Sequence, residues 1–89
     1  MEVIYNDKYL EDINFWKMSG QKQIQSKISK LIEDILQHPN TGLGKPEILK
    51  YELSGLWSRE IDKGNMQIYE VVDHQLHIIS IEGHFSDKY

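Results

Sequence analysis

Apolar residues along this chain fall into two spacings, one of helical period and one of strand-like runs. Glu2-Val3-Ile4-Tyr5 is a short run rich in strand formers, stopped by Asn6-Asp7, which can cap a helix starting there. Tyr9, Ile13 and Trp16 then recur at i, i+4 and i+7, with Leu10 beside them. That spacing predicts a helix, broken at Ser19-Gly20. The clearest periodicity is Ile24, Ile28, Leu31, Ile32, Ile35 and Leu36, predicting a second helix from about Gln21 to His38. His38-Pro39-Asn40 ends it, because the residue before a proline is disfavoured in the helical region. The Ser-Gly break between the helices reads as the turn of an αα-hairpin.

A loop with Gly42 and Gly44 comes next, and then strand-like runs at Ile48–Leu53, Leu56–Asp62, Met66–Val72 and Leu76–Ile81. Their separators are Ser54-Gly55, Lys63-Gly64-Asn65 and Asp73-His74-Gln75. Connections this short favour antiparallel hairpins. The predicted order is βααββββ in one domain spanning residues 1–89, of class α+β. An antiparallel sheet packs on an N-terminal helical hairpin.

Composition narrows the function classes. Hydrophobic residues at 39% and charged residues at 27% of an 89-residue chain fit one modest core. The absence of cysteine excludes disulfides, thiolate metal sites and a thiol nucleophile. Four scattered histidines without metal-ligand spacing give no reason to expect a metal, and no cofactor is expected. No run approaches the roughly 18 apolar residues of a membrane span. The first residues, MEVIYNDKYLED, lack the basic head and apolar stretch of a signal peptide, so a cytoplasmic location with no membrane partner is expected. A net charge of −4 argues against a general nucleic-acid coat protein, though not against a local cluster of cations.

That cluster falls between Gly44 and Arg59, the stretch GKPEILKYELSGLWSR, which contains the chain's only arginine. The chain resembles the YoeB/Txe branch of the RelE superfamily, toxins of bacterial toxin–antitoxin pairs. The resemblance rests on Pro39, Gly42, Gly44-Lys45-Pro46-Glu47, Leu49-Lys50, Leu53-Ser54-Gly55, Trp57-Ser58-Arg59, Ile61, Tyr69 and His84. Each piece alone is weak; the pieces at these intervals are specific, and they run over essentially the whole chain. The resemblance implies a RelE-like fold and a ribosome-dependent, metal-independent endoribonuclease that cuts mRNA. It also implies neutralisation by a small antitoxin, in a toxin–antitoxin hetero-oligomer, with a toxin homodimer as a further arrangement. Glu47 corresponds to the family's general base, Lys50 to a basic active-site residue and His84 to a catalytic histidine. The chain departs from the family at Glu60 and Met66, where arginines are usual, and at Phe85, where a terminal tyrosine is usual.

Metal-free RNA cleavage needs a base for the ribose 2′-OH, an acid for the departing 5′-oxygen, and cations around the phosphorane-like transition state. Glu47 is the candidate base, or else a solvated turn carboxylate. His84 is the candidate acid, since histidine titrates near neutral pH, or else a surface histidine. Arg59 and Lys50 are candidate phosphate clamps; for Arg59 the alternative is a salt bridge, with Glu52 for example. Lys45 is a phosphate attractor or simply solvated. Phe85 can stack on a base. Trp57, Tyr51 and Tyr69 could stack bases, but aromatics on strands of a small domain more often pack. Met66 cannot stabilise an anion. A catalytically weakened homologue that binds the ribosome or antitoxin is therefore the competing expectation.

Overall fold

The computed structural model describes residues 1–83, and for Glu52 the backbone alone. The elements are β1 (Glu2–Tyr5), α1 (Asp7–Ser19), α2 (Lys22–Gln37), β2 (Glu47–Ile48), a 3₁₀ turn (Tyr51–Leu53), β3 (Trp57–Asp62), β4 (Asn65–Val72) and β5 (Gln75–Gly83). The strands form one sheet in the order β1-β5-β4-β3-β2. α1 lies over β5 and α2 over β3, on one face.

Both helices form where the periodicity places them, and each buries its apolar stripe. Tyr9 of α1 and Ile28, Leu31 and Ile35 of α2 pack against Ile61, Tyr69, Leu76, Ile78 and Ile81 of the sheet. Trp16, Ile13, Ile24, Ile32 and Leu36 close the edges of this core. Asn6 does occupy the N-cap of α1, but without a side-chain capping bond; its backbone N–H instead donates to the Ile78 carbonyl (3.0 Å). α1 is further tied to the sheet by Asp12, whose carboxylate accepts the Ile81 N–H (2.9 Å).

Two expectations need correction. The sheet is mixed rather than antiparallel, because β1 pairs in parallel with β5, Val3 opposite Leu76 and Ile4 opposite His77. The helical hairpin returns the chain to the far side of the sheet, so the first strand meets the last in the same direction. The run Ile48–Leu53 is also not a strand. Pairing stops after Ile48 opposite Trp57. Tyr51 takes a left-handed backbone (φ 59°), and the chain turns through 3₁₀ geometry before Leu49 N–H meets the Leu56 carbonyl (2.9 Å).

One polar side chain sits awkwardly in the core. Gln67 is fully buried, and among the described residues neither its amide nitrogen nor its oxygen has a hydrogen-bond partner. An unsatisfied buried amide costs about 1–3 kcal/mol. Gln67→Leu is therefore expected to raise the unfolding free energy by about that amount, read as a higher urea midpoint at unchanged slope.

Candidate functional site

Cross-strand register decides which side chains share a face, since directly opposed residues point the same way and neighbours alternate. The row Ile48–Trp57–Tyr69–Ile78 contains core residues, so it faces the helices. The adjacent row, Glu47–Ser58–Ile68–Ser80, faces away from them. A further row on that outer face is Glu60–Met66–Glu82. Ser58, Met66, Ile68 and Ser80 are buried there, whereas Glu47 at the sheet edge is exposed.

The outer face carries mixed charge. Lys45, whose side chain is 86% exposed, comes within 3.6 Å of the Glu60 carboxylate, and Lys8 of α1 comes equally close to Glu82. Exposed pairs of this kind hold their partners weakly, about 0–1 kcal/mol. Lys50 is exposed at the start of the 3₁₀ turn, where its carbonyl accepts the Leu53 N–H (3.2 Å). Met66 stands between two glutamates and supplies no charge. The last described residue, Gly83, pairs with Asn65 at this same end of the sheet. His84 and Phe85 lie outside the described residues.

Among the described residues Arg59 is the largest fully buried side chain, and it points to the helix side. Its Nε donates to the Tyr69 hydroxyl (3.1 Å). Nη1 donates to the Asp34 carboxylate and to the Leu43 carbonyl (3.1 Å). Nη2 donates to the carbonyls of His38 and of Thr41 (2.8 Å). A guanidinium has five N–H groups, and all are used inside the protein. Tyr69 in turn donates to the Pro39 carbonyl (2.8 Å), and Asp34 accepts the Leu43 N–H (3.0 Å). The Tyr69 phenol is pushed up by burial, against the downward pull of Arg59, and so stays a donor. Arg59 is thus not a phosphate clamp in this structure. The salt-bridge reading is right in kind, with Asp34 of α2 as the partner.

The Arg59 hydrogen bond, and after it the Leu43 amide, hold the Asp34 carboxyl below its ordinary value of 3.8. A depressed folded value gives stability that is present in full above 3.8 and fades as pH falls through the lower, folded value. Urea midpoints are therefore expected to drop on acidification below about pH 4, with a shallower drop in Asp34→Asn, which is less stable than wild type at neutral pH.

Of the other sequence-predicted site residues, Glu47 is exposed on β2, and Lys45 and Lys50 are exposed just before and just after it. Trp57 does not join them. It is half-buried against the core on the opposite face from Glu47, so its base-stacking role is replaced by packing. Tyr69 is core as well, while Tyr51 is exposed. Among the described residues no group of acidic or histidine side chains is arranged to hold a metal, and no helix is long and apolar enough to cross a membrane. Asp34 was missed by sequence reasoning. Its only signal was a carboxylate in the last turns of α2 ahead of the Gly42-Leu43-Gly44 loop.

A small mixed sheet backed by a helical hairpin is the fold of RelE-superfamily toxins. The chain matches the family described as YoeB-like toxin of bacterial type II toxin-antitoxin system over residues 5–85, and it belongs to that family. It is 39% identical to Toxin YoeB of Streptomyces coelicolor over 85 residues, covering 96% of this chain and 100% of the relative. It superposes on a solved YoeB/ParE toxin from Agrobacterium tumefaciens with a TM-score of 0.88 at 31% identity, covering 94% and 99% of the two chains. It also superposes on the Staphylococcus aureus toxin solved in a heterotetrameric YoeB-YefM toxin–antitoxin complex, with a TM-score of 0.83 at 29% identity, covering 94% and 97%.

Proposed function

We propose that this toxin is a ribosome-dependent endoribonuclease that cuts mRNA by metal-independent attack of the ribose 2′-OH. The observation that carries the reading is Glu47. Pairing with Ser58 sets it, exposed, on the sheet face away from the helices, with Lys45 and Lys50 in the same short segment. In this reading Glu47 takes the 2′-OH proton and His84 protonates the 5′-oxygen. Lys45 and Lys50 draw in the phosphate, and Phe85 stacks on a base. Arg59 has no free donor for the phosphate, so the remaining cation must come from these lysines, from Lys63 or from the ribosome.

The row Glu60–Met66–Glu82 favours a second reading. A phosphate approaching this row meets two carboxylates and no opposing arginine, which lowers catalytic power and leaves a module that binds the ribosome or its antitoxin. Cleavage of mRNA on programmed ribosomes by wild type, Glu47→Ala and Met66→Arg separates the two. The nuclease reading expects wild type to cut and Met66→Arg to cut about tenfold faster or more, less than a full oxyanion donor because Glu60 and Glu82 flank it. No cutting by wild type, with cutting restored in Met66→Arg, would establish the binding module.

The YefM complex of the Staphylococcus aureus relative supports a cognate antitoxin as the partner of this chain, in a hetero-oligomer. Co-expression with the adjacent reading frame is expected to yield a stable complex and to abolish growth inhibition; a toxin that purifies alone and leaves growth untouched would refute this.

A further inference from the structure

We propose that Arg59 is a positioning residue: together with Asp34 and Tyr69 it clasps the segment between α2 and β2, and so fixes from the helix side where Glu47 stands on the outer face. The catalytic half of this inference rests on the proposed nuclease function; the positional half does not.

The segment at 38–44 has no ladder of its own, yet its backbone is held at almost every residue. The carbonyls of His38, Thr41 and Leu43 accept from Arg59, that of Pro39 accepts from Tyr69, and the Leu43 N–H donates to Asp34. The Gly44 carbonyl accepts the Glu60 N–H (2.6 Å). Gly44 is pressed so closely onto β3 that a Cβ there would lie 2.9 Å from the Glu60 carbonyl oxygen and from a Leu31 methyl, and 3.2 Å from Arg59 Cβ. Between this held point and Glu47 stand only Lys45, in a left-handed backbone (φ 52°), and Pro46, whose ring locks φ. That link has little slack. β2 has two residues, far short of a strand that can hold its own register. The placement of Glu47 is therefore inherited from the clasp more than from the ladder.

The clasp can be opened from outside the core. Gly42 is exposed, with φ 110°, and a Cβ there would overlap the Asp34 carboxylate, so in Gly42→Ala either Asp34 or the strained loop backbone must shift, and both belong to the clasp. Arg59→Lys opens it from within, since an ammonium cannot satisfy the same fork of acceptors. The experiment compares wild type and both variants by residue-resolved amide exchange, and by single-turnover cleavage at saturating programmed ribosomes. The expected result is faster exchange at Leu43, Glu60 and Leu49, whose N–H donates to the Leu56 carbonyl, by a larger factor than at the central amides of β4 and β5, which report global unfolding. Cleavage at saturation falls about 100-fold, as a small misplacement of a reacting group allows, while ribosome affinity stays within about twofold.

Loosening at Leu43 with Leu49 as protected as in wild type would overturn the proposal, because the ladder would then hold Glu47. Neither variant loosening Leu43, or both melting the whole sheet, would overturn it equally. A drop in ribosome affinity without a drop in rate at saturation would show a structural role only. If wild type fails to cut, the nuclease reading falls, and the exchange at Leu49 still decides whether the clasp positions Glu47.

Discussion

Glu47→Ala is expected to lower the rate of ribosome-programmed mRNA cleavage by about 10²–10⁴-fold, the typical worth of one positioned base. The loss should appear in the rate at saturating ribosomes and not in affinity, since the proton transfer takes place only in the transition state. Stability should barely change. The side chain is exposed on a two-residue edge strand, where a substitution ordinarily shifts stability by no more than about 0.5 kcal/mol. In growing cells the variant should accumulate without toxicity. Toxicity equal to wild type, from a variant with an unchanged melting curve, would end the assignment of Glu47 as the base.

Arg59→Met carries the largest expected loss of stability. Methionine fills part of the volume but removes all five donated hydrogen bonds. Asp34 and the carbonyls of His38, Thr41 and Leu43 then lose the guanidinium together. Asp34 is partly exposed, so the loss falls chiefly on the buried guanidinium's hydrogen bonds, and a hydrogen bond to a charged group is worth about 1.5–3 kcal/mol. For a domain of this size each kcal/mol moves Tm by about 4–8 °C, so Tm should fall by about 10 °C or more. Thermal unfolding by circular dichroism checks it. A fall of only a few degrees would mean that water replaces the guanidinium easily and that the network is less tightly closed than its geometry implies.

Legibility of this structure in its sequence tracks the range of the interactions. The helices declare themselves because Tyr9, Ile13 and Trp16, and then Ile24 through Leu36, repeat at a period set by the backbone itself. β3, β4 and β5 are bracketed by turn residues only a few positions away. The run after Glu47 misleads for a local reason. Ile48, Leu49, Tyr51 and Leu53 have strand composition, and Ser54-Gly55 looks like a hairpin turn, yet the left-handed Tyr51 takes the chain out of the ladder first. The parallel partner of β1 is invisible locally, because Val3 meets Leu76 only after every other element is in place. The site shows the same division. Glu47, Lys45 and Lys50 are legible as a motif, and β2 sets Glu47 exposed at the sheet edge. The role of Arg59 is not, because its choice between a phosphate and a carboxylate is settled by Asp34, 25 residues away. Trp57 and Glu47 sit on nearby strands, and only the register reveals that they look in opposite directions.

The parallel pairing also bears on when the protein becomes itself. β5 stands between β1 and β4 in the sheet, yet it is the strand translated after all the others. The first strand must therefore wait, unpaired, while the helices and the intervening hairpins are synthesised, and closing so long a loop is slow. A nascent chain halted before Gln75 has an incomplete sheet and a core that lacks Leu76, Ile78 and Ile81. Assembly is thus a late, all-at-once event, and a prematurely terminated copy is inert material for proteolysis.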